Sequence, residues 1–496
     1  MARQTHRNRG GRAAILGAVL AAAPLSDVGE ATAADVRVAQ ASETAPDAGS
    51  MAPGADALAP ASGTAGTELV VTPNPNRGFG GKAANSRIVR KLQRERIKAL
   101  REKPKTGEML QDWLSGPSIL GDWGGYRQEL EEKGITFGGF SANSFFTNAT
   151  GGNRRSWTAT SFTMAATDLD LERLAGLAGL RIHTEMALAA GNNLSNSGRI
   201  GNLFNIATGY APNGVYLSEM YAQQEFGEAA TLQLGRLTTT TNFGTLPVFT
   251  NYVSVAGNGT PTALPIGSTY FTFPPAVEWG AVGTLHATST TDLAVGVYNT
   301  NNSSADPQAA ANGTDFGLTF NNGVMTVAQA TWDTPATPGI GLPGIYALGG
   351  FFASGDYPRL RNGRDRQGNY GFYGMAQQMV YSEGGPGNSN GLTPWLAIAW
   401  NPTESADFLP LFVSAGAVYQ GLIRGRDADT TALAVYTGKF SKFSPNSSET
   451  VVEANYTLWA TPWLGITPDF QYVFNPLGNA DIDDAAVFGG QVMVIF

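Results

Sequence analysis

The sequence predicts an all-β fold: a transmembrane antiparallel β-barrel of about 16 strands, preceded by a disordered and helical N-terminal extension. Three observations carry this. First, the last stretch alternates with a period of two. Val452, Ala454, Tyr456 and Leu458 share one parity against Glu453, Asn455 and Thr457. Leu464, Ile466, Phe470, Tyr472 and Phe474 likewise alternate with Thr467, Asp469 and Gln471. Such a strand has one apolar and one wet face. Second, short turns and long polar loops alternate along the body, and aromatics (Trp459, Trp463, Tyr472) sit near strand ends, as in a barrel wall with interfacial girdles. Third, beyond the leader no run of about 18 apolar residues occurs, so the chain does not cross a bilayer with helices.

Taken in order, residues 1–33 read as a secretory signal peptide. Arg3, Arg7, Arg9 and Arg12 form its basic end, Ala13 to Ala23 its apolar run and Ala31-Thr32-Ala33 its cleavage site. Residues 34–85 are an Ala/Pro/Gly-rich linker without periodicity, expected to be disordered. Residues 86–135 form a helical segment placed on the periplasmic side. Its basic run 86–103 is either a solvated lead-in to the barrel or a contact to the cell wall or a coiled-coil partner. Asp122 is expected to cap a helix from Tyr126 to Lys133 that Gly134 ends, packing at the barrel rim.

The barrel occupies 136–496. Alternation and turn residues place strands near 136–147, 159–171, 179–190, 213–226, 231–237, 277–287, 290–299 and 323–333. Eight more lie near 344–354, 370–381, 392–400, 410–422, 431–440, 450–460, 464–474 and 487–496. With Phe496 at the periplasmic end, the short connections (Gly227–Ala230, Thr288–Ser289, Thr461–Trp463) fall on that side. The long ones (191–212, 238–276, 300–322, 355–369, 475–486) fall on the other.

Charge narrows the solute. Through Lys103 the chain carries 15 Lys and Arg against 9 Asp and Glu; the remaining 17 and 31 leave the body at −14. An acidic body argues against nucleic acid and against an anion channel. With 0 Cys there is no disulfide framework, thiol nucleophile or thiolate metal site, and no metal or cofactor signature occurs.

The longest loop, 238–276, contains no Asp, Glu, Lys, Arg or His, but does contain Asn242, Phe243, Phe249, Asn251, Tyr252, Asn258, Tyr270, Phe271 and Phe273. Two placements are open: folded into the lumen as part of the narrowing, or capping the mouth or packing on a neighbouring subunit. In the first case a charge-free rim of rings and amides suits an uncharged polyol. On the third strand Arg181, His183 and Glu185 share the parity expected to face water. On the fourth, Glu219, Tyr221 and Gln223 are candidate sugar contacts, and Glu219 and Gln223 are expected to face the lumen. Arg236 and Glu278-Trp279-Gly280 are expected to flank the narrowing, either holding vicinal hydroxyls or forming a cross-barrel ion pair. Arg359, Arg361, Arg364 and Arg366 fall in one outer loop, solvated, dipping into the pore or on acidic lipid. Arg424 to Asp429 is a periplasmic turn. His183 is expected to be a satisfied lumen residue, and no convergent Ser, His and Asp set stands out.

The motifs also carry a resemblance. Leu120-Gly121-Asp122-Trp123-Gly124-Gly125-Tyr126-Arg127, the fourth-strand stretch from Leu217 to Gln224, Glu453, Asn455-Tyr456, Pro462-Trp463-Leu464, Pro468 to Val473, Asn475-Pro476 and terminal Phe496 resemble the carbohydrate-selective outer-membrane porins of the OprB family. The resemblance spans about Leu120 to Phe496 and implies a passive sugar channel in the outer membrane with no cofactor. It names small carbohydrate and outer-membrane lipid as partners and leaves a homo-oligomer open. Rival readings are a general or cation-preferring porin and, more remotely, a barrel hydrolase.

Overall fold

The computed structural model describes residues 109–496 except 210, 269, 301–310, 321, 336–340 and 386. The expected signal peptide, linker and 86–103 helix lie outside the described residues.

Sixteen long strands form one closed sheet in which each pairs antiparallel with its sequence neighbours. They are β1 Ile135–Thr150, β2 Trp157–Asp170, β3 Leu180–Gly191, β4 Gly214–Phe226, β5 Ala230–Leu237, β6 Glu278–His286, β7 Thr291–Asn299 and β8 Val324–Thr334. Then come β9 Gly344–Pro358, β10 Asp365–Gln378, β11 Gly391–Trp400, β12 Leu411–Gln420, β13 Thr430–Lys439, β14 Ser448–Thr461, β15 Leu464–Phe474 and β16 Ala485–Ile495. A two-residue piece, Tyr381–Ser382, extends the sheet beside the start of β11. The last strand closes on the first, with Phe140 opposite Ile495 and Ser144 opposite Gln491. Closure leaves no free edge, which a wall in hydrocarbon requires.

Alternation separates two faces of the wall. Val435, Leu433, Ile398, Leu396, Phe372 and Leu348 point outward and are exposed, while Glu453, Asp469 and Gln471 point inward and are buried. At the end bearing both termini, a short helix α1 (Met109–Leu114) docks on the rim. Trp113 lies 4.7 Å from Trp463 between ring centroids and accepts its indole N–H at 3.2 Å. Arg127, buried, donates to Ser118 Oγ (2.9 Å) and to the Phe137 carbonyl (2.6 Å), fixing the second helix, Tyr126–Glu132, beneath β1.

Two local expectations are corrected, and one feature went unpredicted. Asp122 caps not that helix but the preceding 3-10 turn, accepting the Gly124 N–H at 3.1 Å. Gly125, at φ 95°, occupies the helix N-cap instead, a left-handed position that favours glycine. The expected loop 355–369 is mostly strand: β9 and β10 run on to Pro358 and from Asp365, leaving a six-residue tip at 359–364. Finally, β4 carries a bulge. Glu185 faces Glu219 but Met186 faces Leu217, so Ser218 is extra. The bulge turns Leu217 outward while Glu219, Tyr221 and Gln223 stay inside, splitting residues of one sequence parity across two faces.

Candidate functional site

Two connections at the end away from the termini turn back into the barrel. The segment after β5, 238–277, crosses the lumen to the far wall: the Gly244 N–H reaches Gln329 Oε1 (2.9 Å), Val248 N–H reaches Gln377 Oε1 (3.0 Å) and Val253 N–H reaches Glu453 Oε1 (2.6 Å). Asn369 Nδ2 donates to the Gly267 carbonyl and Asn401 Nδ2 to Ala263. The segment after β3, 192–213, packs beside it. Its Leu203 and Phe204 N–H groups both reach Glu449 at 2.7 Å, and Gln471 Nε2 donates to the Ile206 carbonyl. The two segments bond each other through Val255 N–H to Asn205 and Thr208 N–H to Val253.

The wall supplies what these segments lack. Loop backbone taken from water must find acceptors and donors. Glu219, Glu449 and Glu453, projecting inward, each accept main-chain N–H groups from a folded-in segment; Glu219 takes Thr238 N–H (2.9 Å) and the Thr241 hydroxyl (2.6 Å). Each such bond is worth about 0.5–1.5 kcal/mol net, and a buried N–H left without it would cost about 1–3 kcal/mol.

The rings of 238–276 pack rather than line. Phe243 meets Tyr298 edge-on at 6.4 Å, Phe249 meets Trp395 at 5.1 Å, and Phe271 meets Phe351 at 5.9 Å. Tyr252 accepts the Trp395 indole N–H (2.7 Å), and burial pushes its phenol pKa up, holding it neutral. Of the rings in this segment Phe243, Phe249, Tyr252, Tyr270 and Phe271 are thus buried, while Phe273 stays half-exposed. Among the described residues of this segment Thr245, Thr250, Asn251, Asn258 and Thr260 stay half-exposed, and so do Val255, Gly259, Pro265, Ile266, Phe273, Pro274 and Ala276, so hydroxyls and amides lie beside apolar groups and none of the exposed groups is charged. Asn242 is buried with the rings.

The other candidates separate into three places. Arg181 and Gln223 face the lumen near the terminus-bearing end and are half-exposed. Arg181 lies 3.7 Å from Glu225, and Gln233 Nε2 donates to Gln223 Oε1 at 3.0 Å, making a polar rail across β3, β4 and β5. Glu185, Glu219 and Tyr221 also face inward but are buried, with Tyr221 stacked on His183 at 4.8 Å. Arg236 and Trp279 do not flank the lumen: they lie on the outer face, opposite each other in register, and Arg236 donates to the Asp315 and Gly313 carbonyls of the segment after β7. The reason is parity, since Leu234 and Met220 beside them point outward. Arg359, Arg361 and Arg364 are exposed at the β9–β10 tip. The Arg424–Asp429 turn is structural, with Arg426 forking onto Asp429 at 2.8 Å.

Sequence reasoning missed Glu225 and Gln233 of the rail, and missed Glu449 and the segment 192–213 as lumen elements. The available signal was the spacing of Glu449, Glu453 and Asn455 on one wet face, which was legible as lumen-facing but not as anchoring.

The geometry is that of a barrel narrowed by its own loops. Residues 154–496 match the carbohydrate-selective porin, OprB family. The chain belongs to that family. It is therefore a porin, a transport channel of the outer membrane. Among curated relatives, Porin B of Pseudomonas aeruginosa is 23% identical over 422 residues, covering 76% of this chain and 91% of the relative. A putative porin, QuiX, of Acinetobacter baylyi is 25% identical over 410 residues, covering 75% and 91%. Among solved structures, the high-pH form of Pseudomonas putida OprB superposes with a TM-score of 0.71 at 21% identity, covering 77% of this chain and 98% of that one. That likeness is one of fold.

Proposed function

We propose that this OprB-family porin lets small uncharged sugars diffuse down their gradient into the periplasm, with its termini on the periplasmic side. The carrying observation is the half-exposed side of the 238–276 segment. It offers amides and hydroxyls and no charge, while charged anchors are turned away and occupied by loop N–H groups. A sugar exchanging water for such groups keeps its hydrogen bonds through the narrowing, whereas an ion loses hydration without a counter-charge. The rail of Arg181, Glu225, Gln223 and Gln233 gives the solute a second set of partners toward the periplasmic mouth, where a guanidinium and a carboxylate can hold neighbouring hydroxyls.

The cation-preferring alternative draws on the −14 body, but Glu219, Glu449 and Glu453 are buried under loop backbone and do not line a cation path. The hydrolase alternative draws on two histidines. Each is held by an aspartate of a neighbouring strand, His183 by Asp168 (2.8 Å) and His286 by Asp292 (2.7 Å), which supports a structural role. Liposome swelling tests the proposal: glucose should enter faster than an uncharged non-sugar solute of equal size, and entry ranked by size alone would refute sugar selectivity.

A further inference from the structure

Four inward side chains of β14 and β15 form a square on the wall. Glu453 lies opposite Gln471, and Asn455 lies opposite Asp469, in register. Residues directly opposite in a sheet hold their Cβ atoms about 5 Å apart, so the four head groups share one small volume. All are buried: Glu453 and Gln471 are 0% exposed, Asp469 5% and Asn455 6%. Both infolded segments close over them. The Val253 and Ser254 N–H groups reach Glu453 from one segment, and the Ile206 carbonyl meets Gln471 from the other.

The two amides have their orientation fixed. Asn455 Nδ2 donates to the Asn251 carbonyl and to Glu453 Oε1, both at 3.1 Å. Gln471 Nε2 donates to the Ile206 carbonyl at 2.8 Å and to Asp469 Oδ1 at 2.9 Å. Each amide thus uses both hydrogens, and a flip would set its oxygen against a carbonyl and a carboxylate. What remains in the square is acceptors alone: Asn455 Oδ1, Asp469 Oδ2 and Gln471 Oε1 are buried without a donor. Glu453, by contrast, is occupied by Val253, Ser254, Asn455 and the Tyr436 hydroxyl. Among the described residues no ion pair involves Glu453 or Asp469. Two buried carboxylates and three unmet oxygens call for a positive partner.

We propose that this square binds a calcium ion, which ties the wall to both infolded segments. Calcium takes carboxylate and amide oxygens and completes its shell with water, in a flexible geometry. Magnesium holds its own waters more tightly and demands a stricter octahedron, which suits oxygens fixed on a sheet less well. The square offers no His or Cys, so softer metals have no ligand there. Asn455, Asp469 and Gln471 supply the ligand oxygens. Glu453 stays with the loop N–H groups and adds its charge, so that one divalent ion balances the two carboxylates. Because the same amides hold the Asn251 and Ile206 carbonyls, fixing them stiffens both segments at once. The proposal rests on the placement of these segments and not on the sugar reading, and its test uses no sugar.

Terbium(III) replaces calcium at oxygen sites and luminesces when a nearby tyrosine is excited, and the Tyr436 hydroxyl lies 2.8 Å from Glu453 Oε2. The full-length mature protein, freed of lipopolysaccharide and treated with chelator in mild detergent, is titrated with terbium chloride. Tyrosine-sensitised luminescence should appear, and calcium chloride should quench it at lower concentration than magnesium chloride. Asp469→Asn should abolish it. Asp481→Asn with Asp483→Asn, which removes exposed carboxylates of the loop before β16, should leave it intact. Calcium should also raise the temperature at which the unheated wild-type band converts to the unfolded one. Wild type without sensitised luminescence, or luminescence that survives Asp469→Asn or is lost with the surface pair, would overturn the proposal. So would a conversion temperature indifferent to calcium, the result expected if Asp469 carries only a proton. The wild-type measurements need no substitution, so a poorly folding variant does not protect the proposal.

Discussion

Glu453 Oε1 accepts the Val253 N–H at 2.6 Å, joining two residues 200 positions apart in sequence across the lumen. The same carboxylate takes the Ser254 N–H and, through Oε2, the Tyr436 hydroxyl at 2.8 Å. A wall carboxylate therefore holds the crossing segment at its far side. Removing it leaves several buried donors unmet, each costing about 1–3 kcal/mol. Glu453→Ala should raise single-channel conductance and make it noisier, while the barrel still migrates as a folded band on an unheated gel. Unchanged conductance would show that the segment is held by its rings alone.

The close approach at Gly257 gives a steric counterpart. A Cβ there would lie 2.0 Å from the Tyr436 hydroxyl oxygen, so any side chain forces the segment off the wall. Gly257→Val should lower the temperature at which the unheated band converts to the unfolded one, by overpacking of about 1–3 kcal/mol, and should alter conductance. Gly259→Val, where nothing stands within 4 Å but φ is 107°, separates backbone strain from the steric effect.

The polar rail predicts a change of preference without a change of width. Gln223→Leu with Gln233→Leu removes a bonded amide pair of similar volume, so glucose entry into liposomes should fall toward that of a size-matched non-sugar solute. Conductance in salt should change little. An equal fall for both solutes would place the rail outside the sugar path.

Arg236 separates the outer face from the lumen. Arg236→Ala should leave sugar preference intact, because its guanidinium holds Gly313, Asp315 and Phe316 of the segment after β7 against the outer wall. It should instead expose 311–320 to protease added to intact cells. Loss of glucose preference in swelling assays would return Arg236 to the channel.

Asp407, in the connection between β11 and β12, gives a pH test. Burial pushes its carboxyl up to about 8, although Asn369 Nδ2, bonding Oδ1 at 2.6 Å, and the Arg366 charge favour the ionised form. In the unfolded chain it titrates near 3.9, so the folded state keeps a proton that the unfolded state has lost. Stability should thus fall as pH rises from about 4 to about 8 and then level. Asp407→Asn should flatten that window and unfold at a higher temperature than wild type at pH 9, with little difference at pH 4. Parallel curves for the two proteins would rule Asp407 out as the cause.

The sequence made the wall legible and the lumen only partly so, for physical reasons. Dyad alternation is local, and Val452, Ala454, Glu453 and Asn455 announce their faces whatever the rest of the chain does. Strand ends at β9 and β10 were misread because Gly355, Asp356 and Pro358 are turn formers that a hairpin still tolerates at an exposed tip. A bulge such as that at Ser218 inserts one residue without a composition signal, so Leu217 and Glu219 shared a parity but not a face. Arg236 was expected to flank the narrowing, yet it lies on the outer face, where carbonyls 77 and 79 residues away in the segment after β7 supply its partners. The charge-free loop stood out by composition, with its placement left open. What alternation cannot show is that its rings face the wall, since that depends on Tyr298, Trp395 and Phe351 from distant strands.

In the proposed channel the crossing segment sets the width while wall carboxyl groups hold it there. Single-channel recording of a variant lacking 251–263, in planar bilayers with graded glucose, tests this most directly. Conductance several-fold above wild type, with the glucose-induced decrease abolished, is the expected result. Wild-type conductance with glucose sensitivity intact would contradict it.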